Sequence, residues 1–216
     1  MNKKLICVII SSISLMLIIF LICFYNIPRI DYDYDKKMDI YYVDKAYGNA
    51  KKYTILDEKN GKKVLYIDEK AFMDKTRLEF ITLGENITKI ERLAFSNCKN
   101  LKHIDLSNVI TIERNAFMDC KSLESINLAS CVDVLGGAFI DCESLENVSF
   151  GNIKSIGTYA FTGTSISEIE LPKSLELLGI NAFYGCNELK KIKCYSKDLK
   201  DDEYLLSLGS IVEFIW

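Results

Sequence analysis

The side chains best equipped for chemistry are eight cysteines and one histidine, and their spacing decides what they can do. No two cysteines form a C-x-x-C pair, and His103 stands alone, so a zinc site lacks its ligands. Cys98, Cys120, Cys142 and Cys186 each follow a phenylalanine by three residues, and Cys131 takes a place filled elsewhere by Val or Ile. Such positions suit a small buried hydrophobe better than a disulfide framework. His103 lies two residues before Asp105, a pairing that could move protons if a nucleophile or metal stood beside it. None does, and the residues 22 positions on are Ser125 and Asn127. His103 therefore reads as an exposed polar side chain. The chain is expected to be no enzyme, with no catalytic residue, no metal and no cofactor.

The element that positions these residues is a repeat. Ala-Phe occurs at 71–72, 94–95, 116–117, 138–139, 160–161 and 182–183, in steps of 23, 22, 22, 22 and 22 residues. Four residues before each Ala stand Ile67, Ile90, Ile112, Val134, Ile156 and Leu178. Seven before stand Val64, Ile87, Val109, Cys131, Ile153 and Leu175. After the Phe, the clearest copies read F-x-x-C-x-x-L-x-x-I-x-L, as in Phe95, Cys98, Leu101, Ile104 and Leu106. One copy is a residue short after Phe161, where Thr164 replaces the Cys, and a residue longer at Leu171 to Leu175. Length changes that cancel in this way point to a coil that tolerates them only at its corners. The alternation in I-x-L is the period of a half-buried strand, and stacked coils would set such strands side by side about 4.8 Å apart. The I-x-x-x-A-F part would form the opposite wall, with Ala admitting the neighbouring backbone and Phe stacking on Phe. A single coil cannot bury its own apolar face, so the stack needs caps.

The flanks divide the rest. Leu5 to Tyr25 carries no charge over 21 residues, which as a helix spans about 30 Å, the hydrocarbon thickness of a bilayer. Lys3 and Lys4 would hold its N-terminal side in the cytoplasm and place the rest outside. Residues 1–27 thus read as a transmembrane anchor, with a cleaved signal or lipid anchor as the alternative. Residues 28–45 read as a stalk, 46–70 as an N-terminal cap turning at Asn60-Gly61, 71–195 as the repeats and 196–216 as a C-terminal cap. That last cap is expected to hold a helix over Asp198 to Leu208 and a strand over Ile211 to Trp216. Without Lys3 and Lys4, 25 basic side chains face 30 acidic ones, a balance that disfavours nucleic acid.

The phrases I-x-x-I-E-R-x-A-F-x-x-C-x-x-L-x-x-I-x-L (Ile87 to Leu106) and L-P-x-S-L-x-x-L-G-x-x-A-F (Leu171 to Phe183) resemble the BspA-like leucine-rich repeat family over about residues 60–195. The resemblance implies an α/β repeat solenoid, a leucine-rich repeat right-handed superhelix with a parallel β-sheet on one face, here preceded by one N-terminal transmembrane helix. It also implies a surface protein of a microbe, with a role in adhesion and protein binding, and no shared catalytic residues. Unlike the larger adhesins of that family, this chain is short and carries its anchor at the N-terminus.

On the strand of each coil the polar positions should face solvent and form a candidate partner-binding face. They are Phe80 and Thr82, His103 and Asp105, Ser125 and Asn127, Asn147 and Ser149, Glu168 and Glu170, and Lys191 and Lys193. The acidic and basic rungs can equally be cross-strand ion pairs that support the sheet. The expected partners are a protein or a glycan on this face and a membrane through residues 5–25. The alternative function is a structural scaffold of the cell envelope.

Overall fold

The computed structural model describes residues 27–215. The expected span Leu5 to Tyr25 lies outside them, and no described helix is long and apolar enough to cross a membrane.

The chain opens with strands β1 (Arg29–Asp35), β2 (Ile40–Tyr47), β3 (Lys52–Thr54), β4 (Glu58–Lys59) and β5 (Lys62–Ile67). Five coils then give one strand to each of two walls: β6 (Phe80–Thr82) and β7 (Lys89–Ile90), β8 (His103–Ile104) and β9 (Thr111–Ile112), β10 (Ser125–Leu128) and β11 (Asp133–Val134), β12 (Asn147–Phe150) and β13 (Ser155–Ile156), β14 (Glu168–Leu171) and β15 (Leu177–Leu178). Strand β16 (Lys191–Cys194), helix α1 (Glu203–Ser207), a 3-10 turn at Gly209–Ile211 and β17 (Val212–Phe214) complete the fold.

The coil is a β-solenoid rather than the α/β solenoid expected, because the repeats contain no α-helix among the described residues. Every Ala-Phe is bracketed by two left-handed residues four apart: Lys70 and Asp74, Leu93 and Asn97, Asn115 and Asp119, Gly137 and Asp141, Tyr159 and Gly163, Asn181 and Gly185. A left-handed residue every turn breaks a right-handed helix. Tight turns form instead, as in the bonds from Ala71 N to Asp68 O and from Met73 N to Lys70 O.

The sheet expected on one face is also more extensive. The strand-face residues pair in parallel but in three ladders, β3-β6-β8, β10-β12 and β14-β16-β17. The longest continuous order, β1-β2-β5-β7-β9-β11-β13-β15, runs through the opposite wall. There the pairs step by one repeat, as in Ile112 with Val134 and Val134 with Ile156.

Between the walls lies the core. The Phe rings from Phe72 to Phe183 stack face to face at 5.0, 5.1, 5.2, 5.4 and 5.8 Å. Each Ala is buried, which lets the Phe N–H reach the Ala carbonyl of the next coil at 2.8 Å, from Phe72 to Ala94 through Phe161 to Ala182. The six described cysteines sit in this core as free thiols. Those of Cys98, Cys120 and Cys142 donate to the carbonyls of Phe72, Phe95 and Phe117 at 3.2 Å, so each satisfies a buried acceptor of the preceding coil. Thr164 bonds its own coil's Phe161 carbonyl at 2.9 Å and touches the Cys186 thiol. Burial pushes the thiols of Cys98 and Cys131 up to about 12.

The ends are closed differently from the sequence expectation. Residues 28–45 are not a stalk: β1 and β2 form an antiparallel hairpin, and β2 joins β5 in parallel. The physical reason is that Ile40, Val43 and Ala46 bury against the first coil, whose apolar end would otherwise face water. The Tyr and Asp of this segment gave it the look of a polar linker, yet Tyr42 stacks on Tyr66 at 4.7 Å and the Tyr32 hydroxyl accepts from Leu56 N at 3.1 Å. At the other end the helix is shorter than Asp198 to Leu208. Asp202 caps it by accepting from Leu205 N, and Gly209 with φ +63° ends it. Strand β17 then pairs with β16 in parallel. Tyr204 supplies what a seventh coil would have supplied, since its hydroxyl accepts from Phe183 N at 2.9 Å.

Candidate partner-binding face

The inward residues of each strand, such as Ile81, Ile104, Ile126 and Ile169, bury in the core and so turn their neighbours outward. Phe80, Thr82, His103, Asp105, Ser125, Asn127, Asn147, Ser149, Glu168 and Glu170 are all exposed, while Lys191 and Lys193 are half-buried. The parallel ladders align them by register: Phe80 with His103, Ser125 with Asn147, Asn127 with Ser149, Glu168 with Lys191 and Glu170 with Lys193.

The face divides into two regions. In the first coils Phe80 stacks on His103 at 6.0 Å, beside Thr82, Asp105, Ser125 and Asn127 in a shallow depression of about 500 Å³. Asp105 spends one carboxylate oxygen on Ser107 N at 2.9 Å, and Ser149 donates to the Asn127 amide oxygen at 3.3 Å. In the last coils a depression of about 400 Å³ is lined by Phe150, Glu168, Glu170, Lys191, Lys193 and Tyr195. There Lys193 pairs with Glu170 at 2.7 Å, but Lys191 turns away from Glu168 to pair with Glu213 of β17 at 2.7 Å. Each pairing favours the charged forms: the Glu170 carboxylate raises the pKa of Lys193, and the Lys191 ammonium lowers that of Glu213. Glu168 thereby forms no ion pair with a described residue and acts on Lys193 only at longer range. The surface can hydrogen-bond, pair ions and stack rings. The six described thiols face the interior.

The opposite wall carries a feature that the strand pattern does not reveal. Its first half is laced with charge: Lys89 contacts Glu91 at 2.7 Å and Glu113 at 3.3 Å, and Arg92 meets Glu69. Its second half is more apolar: Leu177, Ile180, Tyr184 and Tyr159 are exposed, and Arg114, Leu135, Ile140 and Tyr159 line a depression of about 520 Å³ over Gly136, Gly137 and Gly157. The signal was present in the two residues after the wall strand, which read Glu-Arg at 91–92 and 113–114, then Leu-Gly at 135–136, Gly-Thr at 157–158 and Gly-Ile at 179–180.

Two walls of short parallel strands on a 22-residue coil, filled by one stacked Phe per turn, define a leucine-rich repeat solenoid. The chain belongs to the BspA type leucine rich repeat family, whose model matches residues 46–152 and 113–211 in six copies. No curated protein matches it. Among solved structures it is similar to a leucine rich cell surface protein from Faecalibacterium prausnitzii, at 25% identity and a TM-score of 0.60 over 78% of this chain and 53% of that one. It is also similar to the leucine rich repeat protein of T. pallidum, at 23% identity and a TM-score of 0.56 over 76% and 68% of the two chains. The pneumococcal vaccine antigen PcpA aligns at 21% identity and a TM-score of 0.59 over 80% of this chain and 49% of its own. The last two likenesses are of fold alone. The chain spans about half the length of the Faecalibacterium and pneumococcal proteins.

Proposed function

We propose that the chain is a cell-surface interaction module without enzymatic activity, tethered through residues 5–25 with its C-terminal domain outside, whose strand face makes an adhesive contact with a protein or a glycan. Leucine-rich repeat proteins bind protein partners, and one relative of like fold is a cell surface protein. The observation that carries the reading is the separation of labour within each strand. The inward side chains of each strand build the core, and the two flanking the first of them are held in register facing outward. Such a rigid, extended surface suits recognition. The Phe80–His103 shelf and the Glu168–Lys193 rungs give it two chemically different ends.

A photocrosslinking residue placed at Asn127 in the full chain on intact cells should trap a protein or glycoconjugate partner. The same residue at the coil corner Lys99 should not. Equal yields at both positions would remove the strand face as the contact. Adducts confined to cytoplasmic proteins would overturn the outward topology. A second reading, a scaffold component of the envelope, is favoured by the exposed apolar side chains on the second half of the opposite wall.

A further inference from the structure

Exposed apolar side chains scattered singly over a surface need no explanation, but a cluster at an open sheet edge does. Leu177, Ile180 and Tyr184 are 66%, 67% and 64% exposed, and all belong to the last coil. Strand β15 is the end of the longest ladder. Within the stack, the carbonyls of Lys154 and Ile156 accept from Leu177 N at 3.0 Å and Gly179 N at 2.7 Å. Their counterparts one coil on, the carbonyls of Glu176 and Leu178, accept from no described residue. The C-terminal cap covers the strand-face wall with β17 and the Phe column with Tyr204, and leaves this edge open. Beside the edge lies the depression floored by Gly136, Gly137 and Gly157. Two glycines create this flatness for a stacking reason: a Cβ on Gly157 would strike the Gly136 backbone, and one on Gly179 would strike Thr158. The protruding Leu177, Ile180 and Tyr184 have no such reason.

We propose that the second half of this wall, from Leu135 to Tyr184, is an isologous interface between two copies of the chain, formed around the open edge of β15. Three observations select a second copy. The patch holds both protrusion and recess, which an isologous contact requires, since each copy must offer what the other accepts. It also carries little charge against itself, because Lys154 and Glu176 pair with each other at 3.0 Å and Arg114 borders the recess from the coil farthest from β15. Finally, the head-to-tail alternative would set β15 against the other free edge of the same sheet, β1, which carries Asp31, Asp33 and Asp35. Their carboxylates would lose water against Leu177 and Ile180, a costly burial. Symmetric pairing leaves β1 in solvent, where its charges protect the edge.

The test is the mass of the full chain in density-matched detergent micelles by sedimentation equilibrium, from about 1 to 100 µM protein, the range of a moderate dimer. Wild type should be a dimer that dissociates on dilution. The double variant Leu177→Glu with Ile180→Glu should raise the dissociation constant at least about 100-fold, because it brings four carboxylates to the dyad. Both sites are exposed, so its thermal unfolding should match wild type. Arg92→Glu, on the charged half of the wall, should leave the dimer intact. A monomeric wild type, a dimer that survives the double variant, or open-ended growth with concentration would each overturn the proposal. Lys193→Glu on the strand face should not affect the mass, which separates this inference from the proposed partner contact.

Discussion

Phe117 and Phe183 hold the same place in their coils and differ in what surrounds them. Phe117 is fully buried between rings at 5.1 and 5.2 Å, and its N–H bonds the Ala138 carbonyl of the next coil. Phe183 has one ring neighbour among the described residues, at 5.8 Å, and its N–H depends on the hydroxyl of Tyr204. The middle of the stack is stabilised by copies of itself, and the end by residues that imitate a copy. Nearest-neighbour stability of this kind makes the cost of a change depend on its position in the stack as well as on the side chain removed.

The largest expected effect is therefore Phe117→Ala. It empties a core site bounded on both sides and should cost about 3–5 kcal/mol by urea denaturation, as large aromatic truncations do. Phe183→Ala should cost less, since the end coil can relax toward its cap. Equal costs would break the contrast between middle and end. Next in size is Tyr204→Phe, which keeps the ring and removes the acceptor for Phe183 N. A loss of about 1–2 kcal/mol is expected for a buried donor left without a partner. Amide exchange should accelerate at Phe183 and stay unchanged at Phe117.

The thiols extend the contrast into pH. Burial raises the pKa of Cys98 and Cys131 to about 12, and raises Cys186 as well. The folded state thus holds thiol protons that the unfolded chain releases near its ordinary value of 9.0. Stability from this source is complete below that value and falls as the pH climbs from 9.0 toward about 12. At pH 8 a thiol reagent should modify the native repeats slowly. Cys186, 8% exposed in the last coil, should react before the fully buried Cys120. Modification of Cys120 first would mean that the stack opens from its middle.

Most of the interior was legible in the sequence because it repeats. A column occupied by Phe72, Phe95, Phe117, Phe139, Phe161 and Phe183 announces one environment copied six times, and the Cys column in phase with it places those thiols inside. The outward pairs on the strands followed from alternation alone. What the sequence left hidden is whatever does not repeat. The β1–β2 hairpin occurs once, its tyrosines look polar, and only the need to cover the first coil explains it. The second parallel wall was concealed because its strands are two residues long in most coils, too short to show a period. Lys191 was matched to Glu168 by register, yet it answers Glu213, which lies on a cap strand that no repeat anticipates. The left-handed residues were visible as Asn, Asp and Gly in three coils and were masked by Lys70, Leu93 and Tyr159 in the other three.

That last irregularity yields a smaller prediction of opposite sign. Lys70 has φ +60° and an exposed side chain, so its backbone is strained for no burial in return. Lys70→Gly should stabilise the first coil by about 0.5–1 kcal/mol, the relief of the left-handed cost less the added freedom of the unfolded chain. Gly137 already occupies the matching place in the fourth coil. A destabilised variant would mean that the Lys70–Glu69 contact at 2.9 Å outweighs the backbone, which an exposed pair seldom does.

The smallest effect on stability should come from the strand face, and its smallness carries the argument. Lys193 and Glu170 pair across β14 and β16 at 2.7 Å, but both ends reach solvent. Exposed pairs contribute little, and salt screens what they do contribute. Reversing both Lys191 and Lys193 to Glu should move the melting temperature by no more than about 2 °C, within the range of surface substitutions. The same variant should weaken a partner held on this face, because the last rungs would turn uniformly acidic beside Glu168 and Glu170. The two measurements separate the alternatives. A large drop in melting temperature with binding intact makes the rungs sheet supports and confines recognition to the Phe80–His103 end. Unchanged stability with lost binding makes them contacts, free to vary because the stacked Phe column below holds the coil without them.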